Sequence, residues 1–227
     1  ILFSGGFSNT KSFILDGVDE IIQGAASSDV VGVSPQAITF SIWLKTTDTG
    51  SQYFQSIKRA GVLSTLLSFR TTSLNSVSYL IWNGTGHITV TKTTTNVADG
   101  NWHHLCISID DTSGGEIWYD GASVGTNATV LNQDTNTTEP YTVGGFKAGW
   151  GALFFDGNLE EPSVFTGTTK FTLAQAQELY NSGLPANLKD HSRAADLQSW
   201  FRFDNVLDDA TGGTGRIVDY QNSPAMD

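Results

Sequence analysis

Short apolar runs, each bounded by turn-forming residues, recur along the chain and constrain its fold more than any other feature. The runs are Ser12–Leu15, Ile38–Leu44, Leu63–Phe69, Ser78–Trp82, His87–Thr91, Trp102–Ile109, Glu116–Tyr119, Tyr141–Val143, Leu153–Phe155, Leu159–Phe165 and Trp200–Phe203. Short runs bounded by Gly, Asn and Asp are typical of strands, whereas amphipathic helices repeat apolar residues every three or four positions. So many strands with so little helical periodicity predict an all-β fold of antiparallel sheets.

Turn dipeptides and one capped segment divide the chain further. The dipeptides are Asp16-Gly17, Asn83-Gly84, Asp99-Gly100, Gly114-Gly115, Asp120-Gly121 and Asp156-Gly157. They tolerate the positive φ that tight connections between strands require. The segment from Thr172 has a helix signature instead, with Thr172 as N-cap, Gln175 at the third helical position and Gly183 beyond the end. We predict one short helix at about 172–182.

The composition is that of one globular domain. The 227 residues are 39% hydrophobic and 15% charged, which suits a large core. A net charge of −11 disfavours nucleic acid as a partner, because binding a phosphate backbone needs a basic stripe. Cys106 is the only cysteine, so no intrachain disulfide can form. No stretch reaches the ~18 apolar residues of a membrane span, and residues 1–6 lack a signal-peptide pattern. We expect a single domain over residues 1–227.

The order of motifs resembles the laminin-G-like branch of the concanavalin A-like lectin and glucanase superfamily. Lys11–Gly17 looks like the first strand and turn of that family, and Ile38–Lys45 looks like its strand with a buried tryptophan. Asp99–Asp110, with its Trp-His-His sequence, is followed at a family-like distance by Ile117–Gly121. The resemblance implies an antiparallel jelly-roll β-sandwich with its core at roughly 10–205. We expect the terminal extensions to serve in assembly.

The same resemblance suggests a setting. Similar domains without disulfides occur in tail, fibre and capsid-associated proteins of bacterial viruses. The resemblance therefore implies a structural or binding module on a virion surface. Such a module would contact other virion subunits or copies of itself and would bind glycans. A secreted or cell-surface carbohydrate-binding adhesion module and a glycoside hydrolase are the two alternatives.

The carboxylates do not have the spacing that a glycoside hydrolase needs. Retaining enzymes hold two carboxyl groups ~5–5.5 Å apart. Glu116 and Asp120 lie four residues apart on one strand, about 13 Å along it, and Glu160 and Glu161 would point to opposite faces of a regular strand. We therefore predict no catalytic residues and no enzymatic activity.

Three tryptophans are candidates for contacting a glycan or a neighbouring subunit. Trp118 lies in a strand where alternation would place an aromatic side chain outward, Trp82 precedes the Asn83-Gly84 turn, and Trp150 lies in a Gly-rich loop. The remaining ones suit the interior. The resemblance places Trp43 and Trp102 at core positions, and Trp200 lies in an apolar terminal strand.

Calcium is the one cofactor that the sequence suggests. Turn aspartates supply the hard oxygen ligands that calcium prefers, and Asp19, Asp110 and Asp156 are the candidates, although such residues also cap turns. His103 and His104 are strand neighbours that point to opposite faces, so they cannot chelate one ion. We expect one to be packed and the other partly exposed, and Cys106 to be buried and inert.

Overall fold

The computed structural model describes residues 12–26, 35–59, 64–73, 75–82, 87–94, 96–131, 140–146 and 153–202. The strands are β1 (Phe13–Asp16), β2 (Ile22–Ala26), β3 (Ala37–Lys45), β4 (Gln52–Arg59), β5 (Ser64–Ser73), β6 (Ser76–Trp82), β7 (His87–Thr93), β8 (His103–Asp110), β9 (Gly114–Tyr119), β10 (Ala122–Asn127), β11 (Pro140–Val143), β12 (Gly145–Phe146), β13 (Leu153–Phe154), β14 (Asp156–Gly167) and β15 (Leu197–Trp200). These described residues contain one α-helix, α1 (Leu173–Tyr180), which lies between β14 and β15 and is followed by three short 3₁₀ turns within 181–196.

The strands form two antiparallel sheets that pack as a β-sandwich, as predicted. Sheet A has the order β1-β14-β3-β8-β9-β10, with β15 also paired to β14. Sheet B has the order β2-β11-β4-β5-β6-β7, and β12 pairs with β13. The main core lies between the two sheets and takes apolar side chains from both, including Phe40, Ile107, Tyr79 and Tyr141. In the described residues, no helix is both long and apolar enough to cross a membrane.

Sheet A is also covered on its outer face. A second apolar cluster lies there, formed by Cys106, Trp118, Phe165, Phe171, Ala176, Leu179, Leu188, Leu197 and Trp200. Strand β8 is therefore buried on both sides, with Ile107 in the main core and Cys106 in the second cluster. Helix α1 packs over this cluster. Its N-cap Thr172 and Gln175 form the predicted capping box.

The outer layer corrects the prediction for Trp118. Its side chain is completely buried, so it cannot be an exposed ligand contact. Alternation did place Trp118 on the outer face of sheet A, but α1 and the following turns cover that face. Trp43 and Trp200 are buried as expected, and so is Cys106. Burial raises the pKa of the Cys106 thiol, which keeps it protonated and inert.

Among the strands that the apolar runs did not predict, β4 and β10 each have a physical reason. Strand β4 has no apolar alternation because several of its buried side chains are polar; Gln55, for example, donates through Nε2 to the Ser41 carbonyl at 2.9 Å across the sandwich. Strand β10 is a mostly polar edge strand whose register shifts between Ser123 and Gly125. The two-residue turn before β10 follows the prediction, with positive φ at Asp120 (49°) and Gly121 (73°).

A bulge interrupts β14 between Glu160 and Ser163, where Glu161 has a φ of 53°. Strand β1 pairs with β14 before this bulge and β15 pairs with it afterwards, so both share one side of β14. The expectation that Glu160 and Glu161 face opposite sides assumed a regular strand, and the bulge breaks that regularity.

Replacing Thr172 with alanine removes the capping box of α1 and loosens the cover over Trp118. We expect the free energy of unfolding to fall by about 1 kcal/mol, measured by urea denaturation. Gln177→Ala, at an exposed position of the same helix, is the matched control and should change the free energy by less than about 0.5 kcal/mol. Equal losses in the two variants would contradict the capping role.

Candidate functional site

Among the aromatic side chains that the structure describes, Trp102 is the most exposed, at 37%. The family resemblance implied a core position, and that expectation is wrong. Strand β8 begins at His103, so Trp102 falls in the loop before it and outside the sandwich. An exposed tryptophan on a fixed loop is an apolar surface available to a ligand.

The turn at 99–102 is held in one conformation. Asp99 Oδ1 accepts from the Asn101 amide at 2.7 Å, and Asp99 Oδ2 accepts from Asn101 Nδ2 at 3.0 Å. Gly100 has a φ of 79°, and its N–H donates to the Thr46 carbonyl at 3.0 Å. The Asn101 hydrogen bonds also lower the pKa of Asp99 to about 2, so its carboxylate is ionised at neutral pH.

Three polar residues lie on the turn that carries Trp102 or beside it. Thr47 from the neighbouring loop approaches Gly100, since a Cβ added at that glycine would lie 3.3 Å from Thr47 Cγ2. Asp99, Asn101 and Thr47 are all exposed. We call Trp102 with these three residues the Trp102 surface. It combines an aromatic group with a carboxylate, an amide and a hydroxyl.

His103 lies directly behind the Trp102 surface and joins two turns. Its Nε2 is 3.0 Å from Asp99 Oδ1, and its Nδ1 is 2.8 Å from Asp120 Oδ2 and 2.6 Å from Tyr119 Oη. Asp120 also accepts from the His104 amide through Oδ1 at 2.7 Å. We call His103 with Asp99 and Asp120 the histidine clasp. It fixes the 99–102 turn to the β9–β10 turn.

The histidine clasp favours the charged imidazolium. Burial alone would lower the pKa of His103, but the hydrogen bonds to Asp120 and Asp99 outweigh it and raise the pKa. His104 behaves in the opposite way, because complete burial lowers its pKa to about 3 and keeps it neutral, with Nε2 2.8 Å from Ser41 Oγ. One histidine is thus packed and the other partly exposed, as predicted.

Two of the three predicted tryptophan contacts fall where side chains are not described. The backbone of Trp82 ends strand β6, but its side chain lies outside the described residues. Trp150 lies entirely outside them. Both remain predictions, while Trp118 is excluded by its burial.

The three predicted calcium ligands cannot share one ion. Asp110 pairs with Ala37 at one end of β3, whereas Asp156 begins β14, which reaches the other end of β3 at Lys45. The nine residues of β3 separate these ends by roughly 26 Å. Asp19 lies in the exposed turn after β1. The described residues contain no group of three His, Cys, Asp or Glu side chains that could hold a metal ion.

Asp110 caps a turn, which the sequence analysis gave as the alternative to calcium binding. Its Oδ1 accepts from the Thr112 amide at 3.1 Å and from the Ser113 amide, which caps the β8–β9 turn. Although burial opposes ionisation, these hydrogen bonds lower the pKa of Asp110 to about 2.

The candidate carboxylates of a hydrolase are occupied or covered. Glu116 accepts from Ser123 Oγ at 2.6 Å, and Asp120 belongs to the histidine clasp. Glu160 and Glu161 retain only 7% and 4% exposure. Burial raises the pKa of Glu160 to about 7, while Glu161 accepts a hydrogen bond from Trp200 Nε1.

A row of polar residues crosses the outer face of sheet B, although Ser78 is completely buried. Tyr53, Arg70, Ser78 and Thr91 are successive partners in the register of β4 to β7. Arg70 Nη1 donates to Tyr53 Oη at 3.1 Å, and its guanidinium lies 5.3 Å from the centre of the Tyr53 ring. Tyr53 is only 6% exposed, which leaves its ring less available than that of Trp102.

The clasp makes stability depend on pH. The pKa of His103 is raised in the folded state. The stabilisation that charged His103 gives the folded protein is therefore complete below the unfolded pKa of about 6.5, and it is lost as pH rises through the folded pKa. His103→Gln should therefore cost about 1 kcal/mol at pH 5.5, after allowing for solvent screening, and clearly less at pH 9. Urea denaturation at both pH values measures this, and an equal cost at both would refute the charged clasp.

Three solved structures have similar folds. The CBM40 of an IT-sialidase from Ruminococcus gnavus, bound to α2,3-sialyllactose, has a TM-score of 0.58 at 14% identity, covering 75% of this chain and 97% of that one. A native heptameric SAP-like pentraxin from Limulus polyphemus has a TM-score of 0.55 at 14% identity, covering 75% and 82%. Domain 4 of an extracellular arabinanase from Geobacillus stearothermophilus, in complex with arabinotriose, has a TM-score of 0.51 at 18% identity, covering 78% and 82%. At these identities the likeness concerns the fold alone.

Sequence comparison identifies the family. No curated protein sequence matches the chain significantly. A laminin-G family model described as the concanavalin A-like lectin/glucanases superfamily matches residues 21–170, which is more than half of the chain. This match includes β3, β8 and β9, with the Trp-His-His sequence among them. The chain therefore belongs to the concanavalin A-like lectin/glucanase superfamily, in its laminin-G-like branch.

Proposed function

We propose that this protein is a non-catalytic glycan-binding module and that the Trp102 surface contacts the sugar. The observation that carries the proposal is the 37% exposure of Trp102 on a turn that is fixed from behind. Sugar rings have apolar C–H faces and polar hydroxyl rims, so they need an aromatic face with hydrogen-bonding groups beside it. Asn101, Asp99 and Thr47 supply those groups.

Rigidity supports this role. A loop that must become ordered on binding loses affinity, whereas a turn that is already fixed avoids this cost. The Asp99–Asn101 hydrogen bonds and the histidine clasp hold Trp102 before any ligand arrives. The module can therefore bind through few contacts.

Two proteins of similar fold add support. The CBM40 structure holds sialyllactose, and the arabinanase domain holds arabinotriose. A sandwich of this kind is thus compatible with sugar binding. Lack of access to Glu160 and Glu161 supports a binding module over a hydrolase, because a polysaccharide must reach both carboxyl groups.

The glycan proposal is tested by comparing variants on a glycan array and then by calorimetry with the best glycan. Trp102→Ala should weaken binding about tenfold, which corresponds to about 1.4 kcal/mol, and Trp102→Phe should retain part of it. Leu184→Ala, which shortens another exposed apolar side chain at 63% exposure, should leave the affinity unchanged. Equal affinities of Trp102→Ala and the wild type would refute this site. A loss in Arg70→Gln instead would move it to sheet B.

We include calcium in the proposal, with Asp19 and Asp156, which are both exposed, as its candidate ligands. The calorimetry is therefore run with calcium and with a chelator. A calcium-dependent affinity that Asp19→Asn abolishes would support a metal-assisted site. Unchanged affinity after chelation would remove calcium from the function.

We further propose that the module stands on a virion surface, where it contacts other virion subunits. The support is the sequence resemblance to domains of bacterial-virus proteins, together with a composition rich in Thr and Gly. Mass spectrometry of purified particles from the source should then find the chain at a fixed ratio to the major capsid or tail protein. Recovery in the particle-free medium alone would favour the secreted or cell-surface adhesion module.

A further inference from the structure

A cavity of about 300 Å³ opens at the C-terminal end of α1, on the outer layer of sheet A. Its lining residues are Glu178, Asn181, Ala186, Asn187, Asp190 and His191. The volume lies at the lower end of the range of small-molecule sites, so the cavity suits a small group rather than a polymer. It involves none of the residues of the Trp102 surface.

The hydrogen-bond donors around this cavity are already used within the protein. His191 Nε2 is 3.0 Å from the Gln175 carbonyl, while His191 Nδ1 accepts from the Arg193 amide at 2.9 Å. Asn187 Nδ2 donates to Asp190 Oδ2 at 2.7 Å. Because Nδ1 accepts and Nε2 donates, His191 is in its neutral form with the proton on Nε2.

Acceptors remain available. The Glu178 carboxylate is engaged by Ser192, whose amide donates to Oε2 at 2.7 Å and whose side chain also bonds the carboxylate. Within the described residues, Asp190 Oδ1 and the Asn181 amide oxygen have no hydrogen-bond partner. Burial opposes ionisation of Glu178, but the hydrogen bonds from Ser192 lower its pKa. The cavity therefore offers two free acceptors, one carboxylate oxygen and one amide oxygen, beside the negative charge of Glu178.

The surroundings favour a positive charge. The C-terminal end of a helix carries a partial negative charge, and α1 ends at Tyr180 beside this cavity. Two basic residues belong to this segment. Arg193 is paired with Asp196, and Lys189 is exposed and does not line the cavity. Ala186 and the His191 ring, which is almost fully buried, provide an apolar wall for a hydrocarbon stem.

We propose that this cavity binds a primary alkylammonium group. The N–H donors of such a group suit the two free acceptors, its charge compensates the Glu178 and Asp190 carboxylates, and its methylene stem lies against Ala186 and His191. An anion would meet two carboxylates, and a neutral polyol would leave the negative charge uncompensated. The site adds a function to the proposed glycan binding and does not depend on it.

The experiment titrates n-butylammonium into the ¹³C,¹⁵N-labelled protein and follows the Ala186 methyl group and the Asn181 and Asn187 side-chain amides by NMR. We expect saturable shifts at these groups, with no saturation by 1-butanol, which has the same stem without the charge. Tetramethylammonium, which has the charge but no N–H donor, should bind at least tenfold more weakly. Equal effects of all three compounds would overturn the proposal.

Variants separate a cavity from a general charge effect. Glu178→Gln with Asp190→Asn should reduce the affinity for n-butylammonium at least tenfold. The control, Glu20→Gln with Asp48→Asn, removes the same charge at exposed positions elsewhere and should have little effect. Ala186→Leu fills the cavity without changing any charge and should also abolish binding. Binding that survives Ala186→Leu, or that falls equally in the control, would contradict a site in the cavity.

Two ligand sources carry this group, and two further probes distinguish them. Putrescine represents a free diamine, and Nα-acetyl-lysine N-methylamide represents a lysine side chain of a partner protein. Tighter binding of either probe than of n-butylammonium, lost in Ala186→Leu, supports the site and identifies the source. Failure of both probes together with n-butylammonium overturns the proposal, and it leaves the Trp102 result untouched.

Discussion

The burial of the middle strands of sheet A, β3, β8 and β9, on both faces is the constraint on which the rest of the structure depends. Strand β8 contributes alternate side chains to the main core and to the cluster beneath α1. Any polar side chain in such a strand must find a partner inside the protein, because water does not reach it. Ser108 does so twice, since its Oγ lies 2.6 Å from Thr39 Oγ1 and accepts from the Phe171 amide at 2.8 Å. The second bond attaches the outer layer to the sheet.

This arrangement explains why the Trp102 turn is rigid. A strand held from both sides gives its first residues a fixed position, and His103 continues that order into the turn through Asp99 and Asp120. Asp120 in turn contacts the backbone of His104, whose own side chain is completely buried. Exposed Trp102 is thus linked to the buried strand β8 through His103 and Asp120.

The sequence predicted the fold well because its signals were local. Apolar runs marked most strands, Asp120-Gly121 marked a hairpin turn, and Thr172 with Gln175 marked the helix. Errors arose where burial depends on contacts made far along the chain. Trp118 lies on the outer side of its strand, as alternation indicates, but no local pattern shows that residues about 50 to 80 positions later cover it.

The candidate sites were harder to predict for the same reason. Trp102 follows Asp99-Gly100-Asn101, and that turn could have indicated a residue outside the strand, but the family pattern pointed to the core. The partners of His103 come from residues 99 and 120, so the clasp exists only after β8 and β9 pair. The cavity beside α1 is formed by consecutive 3₁₀ turns, which carry no periodic pattern.

The register shift in β10 has a consequence for how copies of this protein can associate. Strand β10 forms one border of sheet A, and Gly125 adopts a φ of 138° within it. A border strand with an irregular backbone and polar side chains is a poor template for another strand, because the ladder of hydrogen bonds cannot continue in register. Growth of the sheet from one molecule into the next is disfavoured at this border. An array of these modules would therefore use surfaces other than this border, such as loops or the faces of the sheets.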